Sequence, residues 1–240
     1  MVFVRLLSQG RILRLLPPTG LIIDVRGNGG GNILAGERIL QTLTSRKIEP
    51  ERFHLINTAT TLELRESSPL GLGLKPWAPS IGLAVETGEI YPQGFTLEPP
   101  ELANQVGQQY QGPVVLVIDA LCYSTTDIFS AGFQDHQIGK ILVTCRHTGA
   151  GGANVWEYNL VRQALPQHFP ALPKGTTFRV AIRRTTRVGP RSGVPVEDLG
   201  VEPDAFHPTT RADLLQGNVD LIARAASLRP ARTGLSIQAS

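Results

Sequence analysis

The spacing of apolar positions changes along this chain, and each change marks an element. Residues 21–25 (LIIDV) form a short apolar run closed by Arg26, and residues 114–118 (VVLVI) form a second after Gly112 and Pro113. Both predict buried strands. Residues 141–143 predict a third, and residues 53–56 carry a weaker β signal. Helical spacing through Ile33, Leu34, Ile39, Leu40 and Leu43 predicts a helix over 33–43; Ile128, Phe129 and Phe133 predict another over 126–136. Residues 101–109 can form a helix, and Leu214, Leu215, Leu221 and Ile222 predict a closing helix over 213–228. Phe178, Val180 and Ile182 alternate with Arg179, Ala181 and Arg183, the period of a half-exposed strand. Strands that alternate with helices define an α/β chain.

The joints between these elements are rich in glycine. Residues 27–32 (GNGGGN) make one glycine turn between a strand and a helix, and residues 148–152 (TGAGG) make another. Residues 67–100, crowded with Gly and Pro around Trp77, read as a long irregular insertion. The first sixteen residues resemble a signal peptide only superficially: Arg5, Arg11 and Arg14 interrupt the apolar run and no small-residue cleavage site follows. An amphipathic helix is expected there, and a cytoplasmic location with it. No stretch reaches ~18 uninterrupted apolar residues, so no membrane span is expected. One domain over residues 1–228, carrying the 67–100 insertion and ending in a disordered tail at 229–240, accounts for the pattern.

Composition narrows the classes further. The 240 residues are 41% hydrophobic and 18% charged, with a net charge of +3, which excludes a charge-rich disordered chain. Arg179, Arg183, Arg184, Arg187 and Arg191 form the one basic cluster, but Phe178 alone does not supply the stacking aromatics that a nucleic-acid surface needs. The cluster reads first as a solvated strand face and second as a site for a peptide carboxylate. Cys122 and Cys145 fit neither a disulfide scaffold nor a zinc site, and two buried thiols are favoured over a bond between them. Neither a metal nor an organic cofactor is implied.

Two segments have chemical potential of their own. A turn with three consecutive glycines lets the backbone approach a ligand closely and aims free N–H groups outward, which suits a phosphate or an oxyanion. The spacing is not the dinucleotide fingerprint. In LCYSTTD, residues 121–127, Ser124 stands between a strand and a helix, where the positive helix end favours a nucleophile's developing charge. Helix capping, by Thr126 or Asp127, is the first reading of the same residues on local grounds. The glycines of the G-x-S-x-G elbow are absent.

Taken in order, LIIDVRGNGGG at 21–31, GPVVLVIDALCYSTTDIFSAGFQDH at 112–136 and PVEDLGVEPD at 195–204 resemble the tail-specific or C-terminal-processing serine peptidases, the family that includes the tricorn core protease. The resemblance implies a mixed sheet flanked by helices with a crotonase/Clp-protease-like core. It places the nucleophile on Ser124, the oxyanion donors on the N–H groups of Gly30 and Thr125, and a late base-orienting glutamate on Glu197, with Asp198 and Glu202 as neighbouring alternatives. It also implies a peptide or unfolded protein C-terminus as substrate. Two departures stand out. Gly151 occupies the position of the lysine that one branch pairs with its serine, and no histidine precedes residue 21, where the tricorn branch takes its base. His147, beside the second glycine turn, is the best local stand-in; His136, twelve helical residues from Ser124, would lie roughly 18 Å away. Two functions follow: a serine peptidase whose general base is missing or comes from outside this chain, or an inactive relative that binds an apolar ligand or peptide tail.

Overall fold

A computed structural model describes residues 12–64, 75–152 and 155–229. Its strands are β1 (Leu21–Asp24), β2 (Arg52–Leu55), β3 (Val114–Ile118), β4 (Gly139–Val143), β5 (Val155–Glu157), β6 (Arg179–Ala181), β7 (Arg183–Thr186) and β8 (Ala205–Phe206). Its helices are α1 (Ile33–Thr42), α2 (Ala59–Leu64), α3 (Ala78–Thr87), α4 (Pro100–Ala103), α5 (Thr125–Asp135), α6 (Tyr158–Ala164), α7 (Arg211–Leu215) and α8 (Val219–Ser227).

A parallel sheet in the order β1-β3-β4-β8 forms the centre, while β2 pairs with β7, and β5 with β6, in antiparallel ribbons. The composition of β3 explains its place. All five of its residues are apolar and buried, so both faces need cover. Val114, Leu116 and Ile118 pack with Leu40 of α1 and Phe129 and Phe133 of α5, whereas Val115 and Val117 pack with Leu221 and Ala225 of α8. The alternation of the strand thus divides the core into two layers. A third cluster, built on Phe53, Trp77, Ile81, Ile128 and Trp156, joins the β2–β7 ribbon to α5.

Several elements depart from expectation for local reasons. Within the span expected to be irregular, residues 75–87 are helical while 88–99 are turns and loop: α3 begins with Pro79 in its first turn and ends at Gly88 in the left-handed region (φ 75°), and Trp77 is buried with its Nε1–H donating to Phe53 O at 2.6 Å. The helix expected over 101–109 stops after α4, where the Asn104 side chain binds both backbone groups of Ile48 and Gly107 takes φ 72°. The closing helix breaks into α7 and α8 at Gly217 and Asn218 (φ 66° and 64°), and Asp213 Oδ1 accepts from Leu221 N across the break. The alternating strand near 178–183 divides at Ile182, β6 leaving to pair with β5 and β7 with β2. Both cysteines are free thiols, but Cys145 is only half-buried. Leu13–Leu15 is a 3-10 turn; the rest of the expected N-terminal helix and residues 230–240 of the expected tail lie outside the described residues. No helix among the described residues is long and apolar enough to cross a membrane.

Burial of three glutamates on this scaffold has a thermodynamic consequence. Glu37, Glu51 and Glu98 are almost fully buried, and both carboxylate oxygens of Glu37 and of Glu51 lack hydrogen-bond partners. Burial and the nearby Glu98 push the Glu37 carboxyl up to about 8 from 4.5, and burial also raises Glu51 well above its ordinary value. Glu37 therefore keeps its proton in the fold and loses it on unfolding anywhere between its ordinary value and about 8. The Glu37 share of stability should fall by about 1 kcal/mol from pH 7 to 8 and level off above, with Glu51 adding a loss of the same sign. This interval lies above the titration of His54 and His136, whose values burial lowers. Thermal melts across pH 7–9 check this, and Glu37→Gln should flatten the dependence and raise the melting temperature most at the alkaline end.

Candidate active site

Because β1 and β3 are parallel neighbours, in register from Leu21↔Val114 to Asp24↔Val117, their C-terminal ends open on the same side of the sheet. The turns that leave them are stitched together. Asp119 Oδ1 accepts from Gly27 N at 3.0 Å, Tyr123 N donates to Asn28 O at 3.1 Å, and Thr125 Oγ1 donates to Gly31 O at 2.9 Å. Cys122 Sγ donates to Val25 O at 3.1 Å, and burial pushes this thiol up to about 12. So Cys122 is a structural thiol, far from the thiolate that a nucleophile requires.

Ser124 sits at the junction of these turns, immediately before α5, with φ 56° and ψ −123°. A non-glycine residue in such a conformation costs about 1–3 kcal/mol, a strain found where the fold over-determines a functional position. Its side chain makes no capping hydrogen bond, so capping does not explain the residue. Gly30 (φ 107°) faces it. A Cβ there would lie 2.6 Å from Ser124 Cβ and 2.9 Å from Thr125 N, striking the serine and covering the first N–H of the helix. That N–H has no partner within α5, as for any residue of a first turn. The Gly30 N–H differs from expectation: it donates to Asn28 Oδ1 at 3.0 Å.

The second glycine turn is pinned from three sides. Ser124 N donates to Gly151 O at 3.0 Å, Gly149 N to Cys122 O at 2.8 Å, and Gly151 N to Asp127 Oδ2 at 2.7 Å. Asp127 is fully buried, and burial raises its carboxyl against the hydrogen bonds that it accepts from this turn. Its position in the first helical turn suggests capping in the sequence, and only the loop's return to α5 reveals its contact with Gly151. A Cβ on Gly151 would collide with the Tyr123 ring at Cε2, so the aromatic ring fills the space that a side chain at 151 would need. Gly151→Ala should destabilise the fold by about 1–3 kcal/mol. In a double-mutant cycle by chemical denaturation, Tyr123→Ala should recover much of this loss, because the clash involves that ring alone.

The titratable residues near the site are distributed unevenly. Glu197 is half-buried, its two oxygens each accept from Thr185 N at 2.8 Å, and burial raises it to about 7 from 4.5. It reaches the second glycine turn from outside: a Cβ on Gly152 would be 3.6 Å from Glu197 Oε1, and Thr185 Oγ1 donates to Gly152 O at 2.8 Å. His147 is exposed and its Nδ1 meets Thr148 O, not Ser124 or Glu197. The remaining histidines are engaged elsewhere: His54 with Pro92 O and Thr186, His136 with Glu49 O, His168 with Glu63, and His207 with Asp213. Lys140 pairs with Asp204. No group of three or more His, Cys, Asp or Glu among the described residues is placed to hold a metal ion.

Beside this constellation is an apolar cavity of about 520 Å³, bounded by β1, by Ala35 and Ile39 of α1 and by Phe129 of α5, and reaching Gly30 and Thr125 at one end. Ser124 is thus brought together with Gly30 and Thr125, the latter two of which line the cavity, while Glu197 adjoins the second glycine turn and His147 stays exposed beside it.

Comparison with known proteins agrees with this architecture. Mature CPAF superposes with a TM-score of 0.67 at 20% identity, over 94% of this chain and 46% of CPAF. CPAF complexed with lactacystin gives 0.66, again at 20% identity over the same shares of the two chains. A Parabacteroides merdae structure described as a peptidase gives 0.55 at 20% identity, over 89% of this chain and 52% of that one. The chain therefore spans about half the length of the solved structures that it matches, and at these identities the likeness shows the fold. No curated protein matches the chain significantly. Sequence adds what structure alone does not: the pattern that defines peptidase family S41 runs through residues 12–206, from the turn before β1 to the end of β8, and the chain belongs to that family.

Proposed function

We propose that this chain carries the nucleophile and oxyanion site of a serine peptidase, with Ser124 attacking the substrate carbonyl and the general base supplied from outside these residues. The observation that carries the reading is Ser124 itself: a strained residue at the start of α5, its hydroxyl uncommitted to a cap, set against a glycine that leaves the Thr125 N–H uncovered. In the reaction Ser124 Oγ bonds to the carbonyl carbon and passes its proton to the base. The oxyanion is held by Thr125 N–H, and by Gly30 N–H once the Asn28 side chain releases it. The base then protonates the leaving amine, and water hydrolyses the Ser124 ester. Glu197, raised to about 7 and adjoining the second glycine turn, orients the incoming base. The apolar cavity accepts an apolar side chain next to the scissile bond. The substrate is a peptide or an unfolded protein end.

A serine hydroxyl is a poor nucleophile near pH 7 without a base to take its proton, and no histidine bond to Ser124 exists among the described residues. The test compares hydrolysis of a fluorogenic peptide by the 240-residue chain and by a form extended upstream. The extended form should turn over and the chain alone should not. If neither hydrolyses while both bind an apolar peptide, the second reading, an inactive relative that uses the same cavity as a binding module, replaces the first.

A further inference from the structure

The β2–β7 ribbon presents one face to the second glycine turn, and that face carries a cation, Arg183, with no ion pair among the described residues. In the antiparallel register Thr185 lies opposite Phe53 and Arg183 opposite Leu55, so these four residues share a face. Thr185 shows which way it looks, because its Oγ1 donates to Gly152 O. Arg183, two residues along, lays its guanidinium over the Phe53 ring with the carbon 4.6 Å from the ring centroid. Phe53 is fully buried, and Arg183 Nε is buried with no hydrogen-bond partner. No carboxylate reaches Arg183 within ion-pair distance among the described residues; Glu197 is the one acid whose charge it feels, and the Glu197 oxygens are committed to Thr185 N. The neighbouring Arg184 is no substitute, since it faces the other side of the ribbon and stacks on Tyr91 at 4.3 Å. By contrast the nearby Arg187 is fully matched, with Asp135 held in two hydrogen bonds.

A guanidinium removed from water without a counter-ion is costly, and a planar fork stacked on an aromatic ring is already oriented for a two-point bond to a carboxylate. We infer that Arg183 is a specificity-determining residue that pairs with a carboxylate of the bound peptide, either its free C-terminus or an acidic side chain. The inference rests on the peptidase reading of the cleft. Ser124 connects to Gly151, its neighbour Gly152 connects to Thr185, and Arg183 follows two strand residues on. That path places the carboxylate on the order of 10–15 Å from the scissile bond, or about three to four extended residues.

Fluorescence anisotropy tests this without requiring turnover. The probes are a fluorescein-labelled apolar hexapeptide as its free acid, the same peptide as its amide, and the amide with one glutamate introduced near its end, each titrated against the Ser124→Ala chain. The free acid or the glutamate peptide should bind roughly tenfold or more tighter than the plain amide, with a preference that weakens in high salt. The stronger of the two identifies the source of the carboxylate. Arg183→Gln should bring the ratio close to one, and Arg183→Lys, which keeps the charge but loses the fork, should retain part of it. Circular dichroism verifies that each variant is folded; if Arg183→Gln is not, the Arg183→Lys ratio decides. Equal affinities for the three probes, no binding of any, or a preference untouched by both substitutions overturns the assignment. Labelling of Ser124 by a serine-directed reagent is read separately in the form extended upstream, so a failure of the peptidase reading is distinguishable from a failure at Arg183.

Discussion

Ser124→Ala is expected to lower kcat for peptide hydrolysis by roughly 10⁴–10⁶-fold in any form of the protein that turns over, since the atom that bonds to the carbonyl is lost. The fold should be nearly indifferent to the change. Ser124 caps nothing and makes no side-chain bond to α5, so removing its oxygen leaves no orphaned partner and stability should stay within about 0.5 kcal/mol. Ser124→Gly sharpens the argument. Glycine adopts φ 56° without steric cost, so relief of about 1–3 kcal/mol of strain should exceed its entropic penalty of about 0.5–1 kcal/mol. A glycine variant that is more stable and inactive would show that the strain is kept for chemistry. Peptide turnover together with chemical denaturation of the three proteins checks both halves.

Arg187→Met should cause the largest loss of stability, about 3–5 kcal/mol, or on the order of 10 °C in melting temperature. Arg187 and Asp135 are both buried, with Arg187 Nη2 donating to Asp135 Oδ1 at 2.6 Å and Nε to Oδ2 at 2.9 Å. The pair ties the end of α5 to the end of β7, and so the helix that begins at Ser124 to the ribbon that carries Thr185 and Arg183. Removing the arginine leaves a buried carboxylate with only the Val188 N–H at 3.3 Å and the more distant Arg191 Nη1 at 3.8 Å, whereas replacing both residues by apolar ones of similar volume should restore much of the loss. Thermal melts of the single and double variants measure the difference.

How much of this could be read from the sequence follows from the physics of each segment. The run at 114–118 announced a strand buried on both faces, and β3 is one; the run at 21–25 announced its parallel neighbour, but β1 is half-buried and ends at the exposed Asp24. The glycine turns and the serine before α5 were legible too, as local chemistry with fixed spacing. Elements whose identity depends on tertiary partners were not. Helix α3 was hidden because its Gly and Pro positions look like loop composition until Trp77 and Ile81 are seen packed beneath the ribbon. Likewise β6 and β7 read as one strand, since alternation cannot say that the chain changes partner at Ile182. At the site, sequence could name Gly151 as a missing lysine but not show that Tyr123 fills its place. Nor could it reveal that Asn28 holds the Gly30 N–H, a long-range consequence of how the turn closes.

The central claim is that Ser124 forms the covalent intermediate, and mass mapping of the acyl-enzyme tests it most directly. An activated peptide ester is mixed with the protein, quenched in acid within the first turnover and digested, and the modified residue is located by mass spectrometry. The account predicts an acyl group on Ser124 in a form extended upstream, formed rapidly near pH 7. In the 240-residue chain the same adduct should form slowly, its rate rising about tenfold per pH unit as hydroxide replaces the absent base. An acyl group on another residue, or turnover by the extended form with Ser124 unmodified, would contradict the account.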